Sequence, residues 1–153
     1  MNASLSSDRH SMRVLHTSAG YWPFVGGAET YLRAISERLA GDGHEVVIAA
    51  TDAMGVQCYW DPRWPRSTQT EGIVGGVQVV RSHLAHLPLS PWSFHLLRRL
   101  ATDLARLPLD TGPLLDRVAP FMPWVPDMEQ NVERLMPGFD LVHGVNIALE
   151  WPL

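Results

Sequence analysis

The chain of 153 residues contains no lysine, a single cysteine and no long apolar run. One cysteine, Cys58, excludes an internal disulfide framework and is typical of a reducing compartment. No stretch approaches the roughly 18 uncharged apolar residues that a membrane-spanning helix requires. The formal net charge of −4 argues against nucleic-acid binding, which usually needs a basic surface. All twelve basic residues are arginines, which remain available to bind phosphate groups.

The length and the N-terminal composition predict one folded domain preceded by a short tail. A domain of about 150 residues can bury roughly 70% of the surface that its unfolded chain exposes. Residues 1–11 are polar, include Asp8 and lack the apolar centre of a signal peptide. We therefore expect a disordered tail over residues 1–11, a folded domain over residues 12–153, and a cytoplasmic location.

Strand-like and helix-like segments alternate, which predicts an α/β fold: a Rossmann-like, mostly parallel sheet with helices on both faces. Residues 46–50 form a continuous apolar run, typical of a strand buried on both sides. Residues 72–80 predict two short strands around a glycine turn. Apolar stripes at helical spacing predict three helices, the last after a capping pair of Asp127 and Gln130. The stripes are Ala28, Tyr31, Leu32, Ile35 and Leu39; Leu97, Leu100, Ala101, Leu104 and Leu107; and Met128, Val132, Leu135 and Met136.

The glycine pair Gly26-Gly27 lies between the first predicted strand and the first predicted helix. Glycine can take backbone angles closed to other residues and lets a ligand approach the main chain closely. The free N–H groups and the positive dipole end of the helix favour an anion such as phosphate here. The alternative is an ordinary turn. Glu29, in the first helical turn, is either a ligand contact or a structural carboxylate that complements the helix dipole and can pair with Arg33.

Five segments, taken in order, resemble the N-terminal domain of family-4 glycosyltransferases, which are retaining sugar-transfer enzymes with the two-domain GT-B architecture. The segments cover most of residues 12 to 146, with a poorly matched middle. They are Met12-Arg13-Val14-Leu15-His16, Pro23-Phe24-Val25-Gly26-Gly27-Ala28-Glu29, Gly43-His44-Glu45-Val46-Val47-Ile48, Gly76-Val77-Gln78-Val79-Val80-Arg81 and Phe139-Asp140-Leu141-Val142-His143.

The resemblance implies an acceptor-side domain of an enzyme that moves a sugar from a nucleotide-sugar to a sugar or lipid acceptor. Gly26, Gly27 and Glu29 would bind substrate, and His143, from the family's Asp-x-x-His-x-His pattern, would be catalytic. Val145 replaces the second histidine of that pattern, and the next residue, Asn146, is a further candidate for substrate binding. The resemblance implies no metal and no cofactor besides the donor substrate. Residues 1–153 lack the family's donor-binding domain, so we expect the isolated chain to be inactive.

Several histidines have structural interpretations beside functional ones. His143 is either a cleft residue or a hydrogen-bonded core histidine, and His16 is expected in the core. His83, His86 and His95 lack the carboxylate or thiol partners of usual zinc sites, so we expect solvated or loop roles for them.

Other features also leave alternatives open. Asp52 ends the second strand as a ribose-binding acid would, although no Gly-x-Gly-x-x-Gly dinucleotide motif accompanies it. The loop of residues 59–66 either stacks a sugar and clamps a phosphate, or only packs. Residues 120–126 offer a weak contact with the inner face of an anionic membrane, or pack against the domain. The candidate membrane residues are Phe121, Met122, Trp124 and Val125. For the whole chain, the alternative is a stand-alone, non-catalytic binding or pairing module.

Overall fold

A computed structural model describes residues 11–145. The strands are β1 (Arg13–Thr17), β2 (Glu45–Thr51), β3 (Glu71–Val74), β4 (Val77–Ser82) and β5 (Leu141–Gly144). The helices are α1 (Gly27–Gly41), α2 (Trp92–Ala105), α3 (Gly112–Val118) and α4 (Met128–Leu135), with short 3-10 helices at Val56–Tyr59 and Met136–Gly138. Asn146 and all but the last residue of the predicted tail lie outside the described residues, so the predictions about them stay predictions.

The strands form one sheet in the order β3-β4-β2-β1-β5. Strands β4, β2, β1 and β5 run parallel, while β3 is antiparallel to β4. The chain moves outward from β1 through β2 to β4 and then returns to place β5 on the other side of β1. The strand order therefore reverses between β1 and β5, which makes their carboxyl ends a topological switch point. This arrangement confirms the predicted α/β, Rossmann-like fold class.

Apolar cores lie on both faces of the sheet. On one face, α1 packs through Leu32 against Ile48 of β2 and Val79 of β4, and all three side chains are fully buried. On the other face, Met128 of α4 joins a second core with Leu15 of β1. Each fully buried aliphatic side chain contributes about 1.5–3 kcal/mol to folding. The two cores therefore cover both faces of the sheet, and the second core buries Leu15 of β1.

The glycine turn between β3 and β4 follows the sequence prediction. Gly75 and Gly76 have φ angles of 59° and 82°, as a two-residue hairpin turn with positive φ at both central positions requires. This hairpin adds β3 as the antiparallel edge of the sheet, on the side away from the switch point.

The predicted apolar stripe of α2 is only partly correct. Leu97, Ala101 and Leu104 are half-buried, but Leu100 and Leu107 are 56% and 47% exposed. The reason is that α2 packs mainly against the short helix α3 rather than against the sheet. A second apolar face of α2 is consequently left open to solvent.

The proline-rich segment before α4 does not expose all of its apolar side chains. Met122 and Val125 are buried, and Val125 belongs to the core beside α4. The backbone of this segment is also tied down, because Ala85 N donates to Trp124 O at 2.8 Å. Met122 and Val125 therefore follow the alternative in which this segment packs against the domain. Helix α4 follows where predicted, but the Asp127 side chain makes no capping hydrogen bond.

Candidate functional site at the carboxyl ends of β1 and β5

The pairing of β1 with β5 brings two histidines together at the switch point. The register sets His16 opposite His143, and their Nδ1 atoms lie 3.0 Å apart. The rings meet edge to face, with centroids 5.1 Å apart. His16 is buried, as the sequence predicts, whereas His143 is exposed. His143 is therefore a surface residue hydrogen-bonded to a core histidine, which combines both of the expected alternatives.

The environment of His16 keeps its imidazole neutral. Burial, and then the neighbouring His143, lower the pKa of His16 from its ordinary 6.5 to about 4. His16 Nε2 is buried and has no hydrogen-bond partner among the described residues. At neutral pH, His16 can therefore act as a hydrogen-bond donor or acceptor but carries no charge.

The loop from Ser18 to Val25 leads from β1 to α1 and is held by backbone contacts. Ser18 N donates to Ala49 O at 3.0 Å, which continues the pairing of β1 with β2. The buried Arg81 of β4 donates from Nη2 to Trp22 O at 2.7 Å. The guanidinium of Arg33 lies over the Trp22 ring, 4.5 Å from its centroid. These contacts fix the path by which the chain reaches the glycine pair.

The two glycines differ from the sequence expectation. Gly26 is extended, with φ −153° and ψ 172°, and Gly27 is the first residue of α1. Neither has a positive φ, so the expectation of a conformation reserved for glycine is wrong at both positions. No side chain caps the helix at Gly26. A Cβ at Gly27 would meet no atom within 4 Å, so space lies open beside its backbone.

Glu29 lies in the first turn of α1 and is only 5% exposed. Its carboxylate folds back over Gly26, where it complements the positive end of the helix dipole. The expected pair with Arg33 is not formed, because Arg33 Nε binds Glu37 Oε1 at 2.7 Å instead. Within residues 11–145, the Glu29 carboxylate has neither an ion pair nor a hydrogen-bond donor. The Glu29 carboxylate is therefore a buried hydrogen-bond acceptor beside the uncapped N-terminus of α1.

The structure brings some predicted site residues together and leaves others apart. Gly26, Gly27 and Glu29 form one group at the start of α1, and His143 stands on β5 beside β1. Val145 N donates to Thr17 O at 2.8 Å, so the chain after His143 stays along the end of β1. No hydrogen bond between described residues joins His143 to the glycine pair. The two groups share the switch-point edge of the sheet without direct contact.

A polar network that the sequence did not reveal lies at the same edge, at the ends of β2 and β4. Asp52 accepts hydrogen bonds from His83 Nδ1 at 2.8 Å and from Leu84 N at 3.0 Å. Arg66 approaches His83 Nε2 at 3.3 Å and donates to Leu84 O at 2.6 Å. Asp52 is therefore occupied by neighbouring loops, which argues against its role as a ribose-binding acid. In the structure, Asp52 and His83 directly follow β2 and β4; the sequence indicated such a position only for Asp52.

His86 completes this network. Its Nδ1 accepts from Arg66 Nη2 at 2.6 Å, and its Nε2 donates to the Cys58 carbonyl at 2.7 Å. Burial lowers the pKa of His86 below its ordinary value. The loop roles expected for His83 and His86 are therefore confirmed. No group of three or more metal-ligating side chains occurs in the part of the chain that the structure describes.

The loop of residues 59–66 is held mainly by its own ion pair. Arg63 binds Asp61 through two bonds of 2.9 and 2.7 Å. These hydrogen bonds lower the pKa of Asp61 to about 2. Cys58, just before the loop, is buried and free. With Arg63 and Arg66 both paired inside the chain, the structure favours packing over phosphate binding for this loop.

Comparisons with protein-family models, with curated proteins and with solved structures find no match for the chain. None of the helices in residues 11–145 combines the length and the apolar character that a membrane crossing needs. We therefore infer the function from the site geometry and the sequence motifs.

Proposed function

We propose that the chain is the acceptor-side domain of a retaining glycosyltransferase, which moves a sugar from a nucleotide-sugar to an acceptor hydroxyl. The observation that carries the proposal is that two of the segments that resemble the family lie at the same edge of the sheet. The glycine-pair loop follows β1, and His143 ends β5, on either side of the switch point. In open α/β sheets, ligands bind in the crevice outside the carboxyl ends of the strands at such a point.

The polar groups at this edge suit a ligand that carries several hydroxyl groups. The uncapped start of α1 offers backbone N–H donors, and the Glu29 carboxylate offers an acceptor. A sugar hydroxyl can donate and accept at once, so it satisfies both. A free phosphate is less suitable beside Glu29, since two negative charges at this short range repel each other. The site therefore favours a sugar-bearing ligand over a bare anion.

In this proposal, one domain binds the acceptor and a second domain binds most of the donor. The resemblance assigns most of the nucleotide-sugar contacts to a second Rossmann-like domain, which would be the partner of this one. Holding donor and acceptor together can be worth about 7–11 kcal/mol of the reaction barrier. Residues 1–153 alone would accordingly bind nucleotide-sugars weakly and transfer no sugar. The proposed location is cytoplasmic, which the single buried, free cysteine supports.

Calorimetric titration of the chain with uridine, guanosine and adenosine diphosphate sugars tests this division. We expect dissociation constants in the millimolar range and no release of nucleoside diphosphate in the presence of simple sugar acceptors. Micromolar affinity would contradict the acceptor-side assignment, because the second domain should supply most of the donor affinity.

One observation favours a second candidate function, a non-catalytic pairing module. Strand β5 is the edge of the described sheet, and its Leu141 and Val142 are 48% and 43% exposed. Parallel strands are ordinarily covered on both faces. A second copy of the chain could pair with this edge. Sedimentation equilibrium distinguishes the two candidates: a stable dimer, broken by Val142→Lys, would favour the module.

The proposal also includes weak contact with an anionic membrane, through α2 rather than through residues 120–126. Trp92, Leu96 and Leu100 lie four residues apart in α2, and each is more than half exposed. Arg98 and Arg99 are exposed on the same helix. Exposed apolar side chains with flanking arginines suit the headgroup region of an anionic bilayer.

A further inference from the structure

The identity of the two bonded atoms limits where the protons of His16 and His143 can lie. It joins Nδ1 to Nδ1 at 3.0 Å, so one of these two nitrogens carries the proton and the other accepts it. If both carried protons, two N–H groups would face each other. The contact therefore requires the accepting ring to be neutral, with its own proton on Nε2.

The second nitrogen of His16 decides between the two arrangements. His16 Nε2 is buried without a partner in the described chain. If His143 were the donor, the neutral His16 would carry its proton on Nε2, as a buried N–H with no acceptor. Among backbone groups, buried N–H donors without a partner are rarer than under-satisfied carbonyl oxygens, and the same preference disfavours an orphaned N–H on the buried ring. If His16 is the donor, its Nε2 keeps only a lone pair in the core.

We propose that His16 is a positioning residue: it donates Nδ1–H to His143 Nδ1 and holds His143 with its proton on Nε2. His143 then presents a neutral N–H donor at the exposed edge of the switch point, aimed at an oxygen atom of the ligand. The ligand class, a sugar hydroxyl or a phosphate oxygen, rests on the proposed function. The direction of the hydrogen bond does not, because it follows from burial within the chain.

His16 and His143 then have different roles. His16 lies inside the sheet and touches no ligand, so its contribution reaches the ligand through the proton of His143. The arrangement parallels the general way in which a hydrogen bond to one imidazole nitrogen sets the state of the other.

Long-range proton–nitrogen spectra of the ¹⁵N-labelled chain at pH 7.5 test the assignment without any ligand. We expect His16 to show a protonated Nδ1 and an unprotonated Nε2, and His143 to show the reverse. A protonated Nε2 in His16, or a protonated Nδ1 in His143, would overturn the proposal.

Two variants test the positioning role. His16→Asn keeps an N–H donor close to the Nδ1 position, whereas His16→Leu removes it; His95→Leu, on α2, is the matched control. With methyl glucoside and inorganic phosphate as separate probes, we expect His16→Leu to weaken the response of His143 at least threefold. His16→Asn and His95→Leu should stay close to the wild type.

The outcomes separate this inference from the proposed function. An unchanged His143 tautomer and an unchanged probe response in a folded His16→Leu chain would overturn the positioning role. If neither probe shifts His143 in the wild type, the proposed function fails, while the predicted tautomers still support the direction of the bond. A thermal melt of each variant establishes that it is folded; should His16→Asn not fold, the spectra and His16→Leu decide.

Discussion

The carboxylate of Glu29 lies directly over Gly26, so a Cβ at position 26 would overlap it. The neighbouring Gly27 has no such contact and opens onto space. The two glycines of the pair therefore serve different purposes. Gly26 makes room for a side chain of the protein itself, whereas Gly27 leaves room that no described residue uses.

A double-mutant cycle tests the relation between Gly26 and Glu29. Gly26→Ala should lower the free energy of unfolding by about 1 kcal/mol, because the new methyl group displaces the buried carboxylate. In a Glu29→Ala background the same change should cost nothing, since an extended backbone at residue 26 accepts alanine. Urea unfolding of the four proteins measures the coupling. Equal costs in both backgrounds would show that the contact is not the reason for glycine here.

The buried His16 predicts a pH-dependent stability. Its pKa is about 4 in the folded chain and 6.5 ordinarily, so the unfolded chain binds more protons between these values. Stability should therefore be complete above pH 6.5 and fall as the pH drops toward 4, by up to about 3 kcal/mol from this residue.

Denaturant unfolding from pH 4 to pH 7.5 checks this expectation, with His16→Leu as the comparison. The pH slope of the variant should be shallower. His86, whose pKa is also lowered by burial, is present in both proteins and cancels in the difference. Identical slopes would mean that His16 does not titrate in this window.

Arg66 should be more important for stability than Arg63. Arg66 binds two imidazoles and the Leu84 carbonyl, so Arg66→Gln should cost about 2 kcal/mol. Arg63→Gln is the matched control, because the Arg63 side chain is 79% exposed and Asp61 is its partner among residues 11–145; such exposed pairs are worth at most about 1 kcal/mol. Thermal melts of both variants measure the difference. A smaller effect at Arg66 would show that the network does not hold the two loops together.

The sequence predicted the fold well where burial is continuous and poorly where helices pack on other helices. The apolar run 46–50 predicted a buried strand, and the glycines before β4 predicted a turn. The structure contains both. For α2, periodicity could not show that only Leu97, Ala101 and Leu104 would find a partner. A stripe indicates which residues are apolar, but the packing against α3 decides which of them are covered.

The site was predicted in position but not in detail. The strand–glycine–helix pattern located the start of α1, yet it could not show that Glu29 would turn away from Arg33. The hydrogen bond between His16 and His143 joins residues that are 127 apart in sequence. No local sequence pattern predicts a contact between side chains of two neighbouring strands, β1 and β5. Long-range side-chain contacts are therefore the part that required the structure.

The exposed face of α2 should bind anionic vesicles at low salt. Replacing Leu96 and Leu100 by serine should reduce binding at least tenfold, since each buried leucine contributes roughly 1.5–3 kcal/mol. Ile73→Ser, on the distant strand β3 and 78% exposed, is the control and should bind normally. Co-sedimentation with phosphatidylglycerol and with phosphatidylcholine vesicles measures this. Absence of binding to phosphatidylglycerol at low salt would remove the membrane from the proposal.

The open space at Gly27 gives the central claim its sharpest test. A Cβ at Gly27 would meet no atom within 4 Å, so we expect Gly27→Val to place its side chain in the open space beside the first turn of α1, to fold normally and to lose ligand binding. Gly41→Val, at the other end of α1 and equally open, is the matched control for the cost of valine in this helix.

The deciding measurement is a map of backbone amide shifts during titration with a nucleotide-sugar and with methyl glucoside. The largest changes should fall on residues 26–29 and on His143, with millimolar affinity, and should disappear in Gly27→Val but persist in Gly41→Val. Shifts concentrated elsewhere, such as on α2 and α3, or an unchanged response in a folded Gly27→Val chain, would contradict a sugar-binding site at this switch point.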